Sequence, residues 1–380
     1  MKKHRQEEKK QWEEETRMSA MIPMPHLPIE IKDKIFLSLP VEALLRLRCI
    51  IRDYSRLYNP QFLKMHLDRQ FEFDNGSIII VSTASKIYKL SFDAFSHPIQ
   101  LDFPFRNPNS KSPIVIAGSC NGLVCLTHKR FYGDYVYVWN PATGQYKQLP
   151  AHVKKRRVYN VRISLGFGYD HISGEFKVLL ISNPQPWKTG IRKVEAIVYT
   201  LGTSSWRSIG DTSSWRSIGD LRYPFCQSPL QVFGGCPHWT VPELNSIVSF
   251  SVGNEKFKEI PMPPIDDDYT RWAKLTALGG CLSIVAHVYK EKCYEIWARV
   301  EDGLENTWTK QLSINAVHIP GYLTDSWNVD LKAFKNGQVL VEDDGPYLFD
   351  PVTNDIRYLY LLGDPKKFHV CSYIESLAPC

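Results

Sequence analysis

The sequence predicts a mainly β protein in which three short helices precede a β-propeller of about six blades. Three observations support this fold class. Helical spacing of apolar residues is confined to residues 24–67. Beyond residue 70 the chain consists of short apolar or alternating runs separated by turn residues, which is typical of strands. A short pattern also recurs about every 50 residues in that part, as the blades of a propeller would.

The composition is that of a folded globular protein. The 380 residues include 43% hydrophobic and 23% charged residues, with a net charge of +6. No apolar stretch approaches the roughly 20 residues of a membrane-spanning helix, and no apolar segment follows the charged N-terminus. We therefore expect no membrane partner and a cytoplasmic or nuclear location, or both. Nine cysteines without close CxxC pairs fit reduced thiols in such a compartment.

Residues 1–22 are rich in Lys, Glu, Gln and Arg, which predicts a charged, flexible tail. The first predicted helix follows, and Pro28 is suited to its first turn. Four aliphatic residues recur every four positions and therefore share one face of this amphipathic helix: Leu27, Ile31, Ile35 and Leu39. Pro40 ends the helix.

Two further short helices are expected before residue 60. The first carries apolar residues at helical spacing, namely Ala43, Leu44, Leu47 and Ile51. The second carries Tyr54 and Leu57, and the pair Asn59-Pro60 is interpreted as its end. The whole segment has about 44 residues, near the lower size limit for independent folding, and its helices are apolar on more than one side. They must therefore dock either on the rest of the chain or on another protein.

The order of these residues resembles an F-box. The resemblance rests on Leu27-Pro28-Ile29-Glu30-Ile31, on residues 35–49 from Ile35 to Cys49, on Pro60-Gln61-Phe62 and on His66-Leu67. It implies residues 23–69 as an F-box that binds the Skp-type adaptor of a cullin-based ubiquitin ligase. The adaptor contacts implied are Leu27, Pro28, Ile31, Ile35, Leu39, Pro40, Leu44, Leu47 and Ile51. One departure is Tyr54, where such F-boxes usually have Trp, which implies weakened rather than lost adaptor binding.

Residues 70–380 form the predicted propeller. Its repeat is an aromatic or apolar residue followed closely by an aliphatic one, beginning at Tyr146, Trp206, Phe257, Trp308 and Ile356 with spacings of 60, 51, 51 and 48. A weaker copy, Pro98 to Leu101, precedes them. The turn before the pattern recurs as Asn140-Pro141-Ala142-Thr143-Gly144 and Asp350-Pro351-Val352-Thr353-Asn354. Gly or Asn at its last position can adopt positive φ.

The first blade, between Gly76 and Pro104, lacks one strand, whereas residues 368–377 form a strand without a blade. We predict that the two pair and so close the ring, which removes two free sheet edges.

The region also resembles the kelch-like F-box-associated (type 1) domain of plant F-box proteins. Four motifs carry the resemblance in the order of that family: residues 118–125, 138–143, 166–170 and 206–210. It implies a non-catalytic substrate-recognition subunit of an SCF-type (Skp-cullin-F-box) ubiquitin ligase, with an unidentified target protein. S-locus F-box proteins, which recognise stylar ribonucleases in self-incompatibility, belong to the same family, and no residue singles out that subgroup. The alternative is a propeller binding module that acts without the ligase.

An identical nonapeptide occurs twice in succession, as Thr203–Asp211 and Thr212–Asp220. Only one copy can occupy the strand position in the blade, so the sequence predicts that the other is extruded or pairs at the blade edge. Either Trp206 or Trp215 would then be available for contacts.

No catalytic constellation is found in the sequence. Gly166-Phe167-Gly168 is too short for a nucleotide fingerprint, and Cys236-Pro237-His238 lacks a second half for a zinc site. The consecutive aspartates at residues 266–268 and 343–344 could supply paired carboxylates for catalysis, but they are interpreted as solvated turns. The basic run 152–157 lacks accompanying aromatic residues for stacking, which does not favour nucleic acid as a partner. We therefore expect no cofactor and no metal.

Overall fold

The computed structural model describes most of the chain from residue 28 onward. The described residues are 28–47, 57, 59–72, 77–81, 86–91, 97–103, 114–128, 135–151, 161–184, 195–209, 230–241, 245–266, 270–278, 280–302, 305–319, 330–335, 337–342, 346–359 and 369–380. They form three α-helices, 24 strands and the short 3-10 helix Ala316–His318. In this part of the chain, no helix has the length and apolarity that crossing a membrane requires.

The three helices are α1 (Ile29–Ser38), α2 (Val41–Leu47) and α3 (Pro60–Glu72). Helix α3 begins at Pro60, and the sequence interpretation did not include a helix that starts at the pair Asn59-Pro60. The helix predicted before this pair lies largely outside the described residues, so its end at Asn59-Pro60 stays a prediction. The Asn59 side-chain oxygen accepts a hydrogen bond from the Gln61 N–H at 2.9 Å, and proline fits the first helical position because its missing N–H is not needed there. Helix α3 also continues past the expected domain boundary at residue 69. The predicted segment around Tyr54 lies outside the described residues.

The strands form six four-stranded antiparallel sheets, which we number as blades 1–6 and give from the centre outward. Blade 1 contains β24 (His369–Tyr373), β1 (Ser77–Val81), β2 (Ile87–Ser91) and β3 (Ile99–Leu101). Blade 2 contains β4 (Ile114–Cys120), β5 (Leu123–His128), β6 (Val136–Trp139) and β7 (Tyr146–Gln148). Blade 3 contains β8 (Val161–Asp170), β9 (Glu175–Pro184), β10 (Glu195–Thr200) and β11 (Arg207–Ser208).

The second half of the ring follows the same plan. Blade 4 contains β12 (Gln231–Phe233), β13 (Cys236–Val241), β14 (Ser246–Ser251) and β15 (Lys256–Pro261). Blade 5 contains β16 (Thr270–Leu278), β17 (Cys281–Val288), β18 (Cys293–Asp302) and β19 (Glu305–Asn315). Blade 6 contains β20 (Asp330–Lys335), β21 (Gln338–Glu342), β22 (Pro346–Phe349) and β23 (Ile356–Tyr358). The inner strands contact one another around the ring, which confirms a propeller of about six blades.

The apolar core lies between blades rather than within them. Five buried clusters each combine side chains from two consecutive blades. The cluster between blades 3 and 4, for example, joins Leu179 and Val198 to Trp239 and Phe250. A single blade exposes two apolar faces, so only stacking in a ring buries both.

The repeated aromatic-aliphatic pattern has a clear structural basis. In two blades its aromatic residue packs on an aromatic of the neighbouring strand, with ring centroids 5.5 Å apart in Tyr199–Trp206 and 5.1 Å apart in Phe250–Phe257. Its aliphatic residue is buried at the end of the outer strand, as for Leu149 and Ile260. In two blades the Trp also donates to a carbonyl of the preceding blade: Trp206 to Pro150 at 2.7 Å and Trp308 to Pro261 at 2.9 Å.

Both turns predicted before the pattern are present. Asn140 Oδ1 accepts hydrogen bonds from the N–H groups of the residues two and three positions later, at 2.9 and 3.2 Å, and Asp350 Oδ1 does the same at the same distances. Gly144 and Asn354 have φ values of 73° and 62°. The sequence pattern therefore encodes one turn geometry used in two blades.

The pairing predicted for the last strand is also present. Strand β24 pairs antiparallel with β1, with Ser77 opposite Tyr373 and Val81 opposite His369. The C-terminal strand is therefore the innermost strand of blade 1. Closure between the two ends of the propeller leaves the first sheet with four strands like the others.

The first copy of the duplicated nonapeptide occupies the blade. Strand β11 belongs to the copy Thr203–Asp211, and Ile209 of that copy is buried between blades 3 and 4. Arg207 pairs with Glu255 of blade 4. The second copy, Thr212–Asp220, lies outside the described residues.

Candidate functional site

The outer face of α1 is apolar and open to solvent. Ile31 and Ile35 on this face retain 44% and 41% of their surface. Pro28 and Ile29, where the helix starts, are also exposed, but Ile29 is two residues from Ile31 and lies on a different side of the helix. Ile31 and Ile35 are one helical turn apart and share a face. The middle of the predicted stripe therefore faces solvent at Ile31 and Ile35, whereas such a stripe normally faces the core. Leu39, at the end of the stripe, is half-buried against the residues that hold the helices together.

The opposite face of α1 is sealed within the chain. Phe36 and Leu37 are buried and join an apolar cluster with Val41 and Leu44 of α2 and Phe62 of α3. Helix α1 thus carries two apolar faces, of which the chain covers one. This separates residues that hold the helices together from residues that remain available to a partner.

The predicted adaptor contacts divide along this line. Pro28, Ile31, Ile35 and Pro40 are exposed, and Leu39 and Leu47 are half-buried. Leu44 has no exposed surface, so it holds the helices together, and its assignment to adaptor contact is not carried forward. Leu27 and Ile51 lie outside the described residues, as does Tyr54.

A buried histidine fastens α3 to the end of α1. His66 Nε2 lies 2.9 Å from the carbonyl oxygen of Leu39, which can only accept, so the ring nitrogen donates its proton. Burial lowers the pKa of His66, while the hydrogen bond to Leu39 opposes that shift. The ring therefore favours the neutral form, which is compatible with its place against Phe62 in the helical interior.

The helices also dock on their own propeller, which is the first of the two alternatives left open by the sequence. Leu377, which follows β24, is buried in the helical cluster, and Ala142 from the turn of blade 2 packs against it. The inner side of the cluster is thus covered by the chain, whereas Ile31 and Ile35 on the outer face of α1 are exposed within the described part of the chain.

The centre of the ring contains a small cavity of about 120 Å³. Four of the six inner strands or the residues preceding them line it, including Ile116, Leu230, Ala277 and His369. Its lining residues, all within the described part of the chain, include no carboxylate. The paired carboxylates that glycosidase chemistry needs are therefore not assembled at this cavity.

Cys236 and His238 lie in the same strand, β13, where His238 is buried and Cys236 is half-buried. His238 Nδ1 lies 2.8 Å from the Cys236 carbonyl oxygen. The pKa of His238 is lowered to about 4. Burial is the main cause of this shift, and the positive charge of Arg299 acts in the same direction. Burial also raises the pKa of the Cys236 thiol. A neutral imidazole and a protonated thiol fit a structural role at this place.

One group of potential metal ligands escapes sequence reasoning. Among the described residues, Glu291, Cys293 and Glu295 bring ligand atoms within 4.8 Å of one another. The signal available in the sequence was that these three residues occupy every second position, which places them on one side of a strand and of the turn before it. The Glu295 carboxylate is already engaged, because Lys310 Nζ lies 2.5 Å from one oxygen and Trp297 Nε1 donates to the other at 2.9 Å.

Other sequence candidates lie largely outside the described residues. These are the basic run 152–157 and most of the acidic residues at 266–268 and 343–344. Asp266 is exposed, and its carbonyl oxygen accepts a hydrogen bond from Thr270 Oγ1 at 2.7 Å. The outer face of α1 is thus the most distinct candidate site of the described chain.

Comparison with known proteins gives consistent results. A family model described as an F-box associated beta propeller domain matches residues 77–333, and the three helices precede this range. F-box protein CPR1 of Arabidopsis thaliana is 25% identical over 313 residues, covering 77% of this chain and 73% of that protein. F-box protein At3g07870 of the same plant is 27% identical over 408 residues, covering 93% and 91%. F-box/kelch-repeat protein At3g23880 is 24% identical over 360 residues, covering 87% and 92%.

Proposed function

The chain belongs to the family of the F-box associated beta propeller domain, and from this membership we propose that it is the substrate-recognition subunit of an SCF-type ubiquitin ligase. Helices α1–α3 bind a Skp-type adaptor and, through it, a cullin. The propeller binds a target protein so that a target lysine comes within reach of the charged ubiquitin carrier. The chain itself performs no chemical step, and the rate gain comes from proximity.

The observation that carries this proposal is the exposed aliphatic face of α1. Ile31 and Ile35 remain in water although the same helix buries Phe36 and Leu37. Contiguous exposed apolar side chains on a small helical unit mark an interaction surface. A helix that presents such a row fits a groove on a partner.

The partner class follows from the resemblance of α1 and α2 to an F-box and from the F-box relatives in Arabidopsis thaliana. Adaptor contact is assigned to Leu27, Pro28, Ile31, Ile35, Leu39, Pro40, Leu47 and Ile51. A cytoplasmic or nuclear location, or both, accompanies this role. The target protein stays open, and a stylar ribonuclease is one class to test.

The test is a calorimetric titration of the purified chain with a purified plant Skp-type adaptor. We expect the double variant Ile31→Asp/Ile35→Asp to bind at least about 100-fold more weakly, because two charges enter an apolar interface. The matched control is Ile99→Asp, which alters an isoleucine of β3 that is 58% exposed and distant in sequence from the helices. The control variant should bind like the wild type.

A complementary variant, Leu27→Ala/Pro28→Ala, removes the start of the motif and should also reduce co-purification with the adaptor. Unchanged binding in both double variants would refute the assignment. A wild-type chain that fails to bind the adaptor at all would instead favour the second candidate, a propeller binding module that acts without the ligase. The Tyr54 departure from the F-box pattern is the observation behind that candidate.

A further inference from the structure

Residues 374–380, which we call the closing segment, lie between the helices and blade 2. Ser376 faces the propeller, where its Oγ donates to the carbonyl oxygen of Asn121 at 2.8 Å. The next residue, Leu377, faces the other way and is buried among the helical side chains. Consecutive side chains of an extended chain point to opposite sides, so one short segment contacts both parts of the molecule.

One buried side chain holds this segment in place. Asn140 has no exposed surface, and its Nδ2 donates to the carbonyl oxygens of Ser376 and Ala378 at 3.0 and 2.8 Å. Its Oδ1 meanwhile accepts the two turn hydrogen bonds of blade 2. Both donors and both acceptor positions of the amide are therefore used.

The equivalent turn of blade 6 shows that the turn itself does not require an amide. Asp350 caps it with the same two distances, and its other oxygen, Oδ2, lies 3.5 Å from Gln338 Nε2. A carboxylate has no donor hydrogen, so it could not bind two carbonyl oxygens. The requirement for Asn at position 140 therefore comes from the closing segment.

Two further contacts fix the same segment. Gly122 has a φ of +83°, and a Cβ added there would lie 2.0 Å from Ser376 Oγ, so the closing segment passes directly over this turn. Lys89 Nζ of blade 1 lies 2.5 Å from the Glu375 carboxylate in a partly buried ion pair. The closing segment is thus bound to blades 1 and 2 independently of the helices.

We propose that the closing segment sets the direction of the helices on the propeller and that Asn140 is the positioning residue for this arrangement. The segment is anchored to the ring by the Asn140 amide and inserts Leu377 into the helical cluster. The exposed face of α1 therefore points in a fixed direction relative to the blades. The consequence of this fixed direction rests on the proposed function: a target bound to the propeller would be presented to the rest of the ligase at a fixed orientation.

The test is hydrogen–deuterium exchange of the full chain at pH 7.5 with Asn140→Asp. This variant keeps the turn acceptor but places a carboxylate against two carbonyl oxygens. We expect exchange at least about fivefold faster in peptides from residues 29–47, 60–72 and 374–380, because local opening of the docked helices becomes easier. Peptides from blade 6 should be unchanged. The matched control, Asp350→Asn, makes the reverse change in the equivalent turn and should exchange like the wild type.

A distance measurement separates release of the helices from general loosening. Spin labels introduced through non-natural amino acids at Lys64 of α3 and Val352 of blade 6, both exposed, should give a narrow distance distribution in the wild type. Asn140→Asp should broaden it. A distribution and exchange pattern identical to the wild type would overturn the proposal, as would equal effects of Asn140→Asp and Asp350→Asn.

If Asn140→Asp does not fold, Leu377→Ala provides the same test from the helical side, since it removes the inserted side chain without altering a turn. Increased exchange confined to the helices and the closing segment supports the proposal, and unchanged exchange contradicts it. Adaptor affinity of Asn140→Asp should stay within about twofold of the wild type, because the α1 face is untouched. A wild-type chain that binds no adaptor would end the proposed function, whereas exchange and distances would still decide the role of Asn140.

Discussion

The blades and the helices cover their apolar surface in different ways. Each described interface between blades joins side chains of two neighbours, and closure by β24 gives the first blade a fourth strand. The helices cover one side with the propeller through Leu377 and leave Ile31 and Ile35 exposed on the other. The propeller therefore buries the apolar faces of its described blades within one chain. The helical part instead keeps an exposed apolar surface of the kind that binds a second protein.

The difference appears within two consecutive residues of α1. Phe36 is buried against α2 and α3, while Ile35 beside it keeps 41% of its surface in water. Substitution of the first should act on folding, and substitution of the second should act on binding.

The largest effect is expected in the ring. Phe250→Ala removes a fully buried ring that packs against Phe257 at a centroid distance of 5.1 Å. The free energy of unfolding should fall by about 3–5 kcal/mol, the usual cost of truncating a buried Phe. Ile35→Ala should cost less than about 1 kcal/mol, since 41% of the surface of this residue is already in water in the folded chain. Urea denaturation of both variants measures the difference, and equal losses would contradict the division.

A second effect should appear in acid. The pKa of His238 is about 4 in the folded chain, against the ordinary histidine value of 6.5 in the unfolded chain, so the unfolded chain binds this proton first as the pH falls. The contribution of His238 to the free energy of unfolding is fully present only above pH 6.5 and falls by about 3 kcal/mol as the pH drops to 4. In His238→Gln this part of the pH dependence should disappear, as followed by urea denaturation from pH 7 to 4.

His171 serves as the control for that experiment. It is exposed and belongs to none of the buried clusters between blades, and among the ring contacts of the described residues its ring contacts only Tyr169 of the same blade, edge-on. His171→Gln should keep the wild-type pH dependence. The same pH dependence in His238→Gln and the wild type would show that another group governs the acid response. His66 in the helices has its pKa shifted in the same direction, so acid should weaken both regions.

The smallest effects concern the duplicated nonapeptide. Trp206→Ala removes a hydrogen bond to Pro150 and a ring contact with Tyr199, and should cost about 2 kcal/mol because the side chain is only partly buried. Trp215→Ala alters the identical residue of the second copy and should change the free energy of unfolding by less than about 0.5 kcal/mol. Equal losses in the two variants would show that both copies contribute to blade packing.

The sequence predicts the ring well because its determinants are local and repeated. The aromatic-aliphatic pattern that begins at Trp206 or Phe257 marks an outer strand, since the aromatic must cover its neighbour and the aliphatic must enter the core. The turns at Asn140 and Asp350 follow from side chains that bind the next backbone N–H groups. Strand counting also identifies the closure.

The candidate site was less accessible to sequence reasoning. Helix α1 is apolar on both sides, so spacing identifies a stripe but not whether Ile35 or Phe36 faces the core. The pair Asn59-Pro60 fits the start of a helix as well as the end of one. The hydrogen bond from the Gln61 N–H to the Asn59 side chain shows that α3 begins at this pair. The role of Asn140 depends on contacts with the closing segment, which is far along the chain. The signal available in the sequence was Asn at this position, where the equivalent turn of blade 6 has Asp350.

The most direct test of the central claim is hydroxyl-radical footprinting of the chain with and without a plant Skp-type adaptor. The exposed side chains of Ile31 and Ile35 should become protected on binding, while Ile172 and Val352, exposed at turns of the propeller, keep their reactivity. We expect protection limited to α1 and its surroundings. Binding of the adaptor with Ile31 and Ile35 still fully reactive would contradict it.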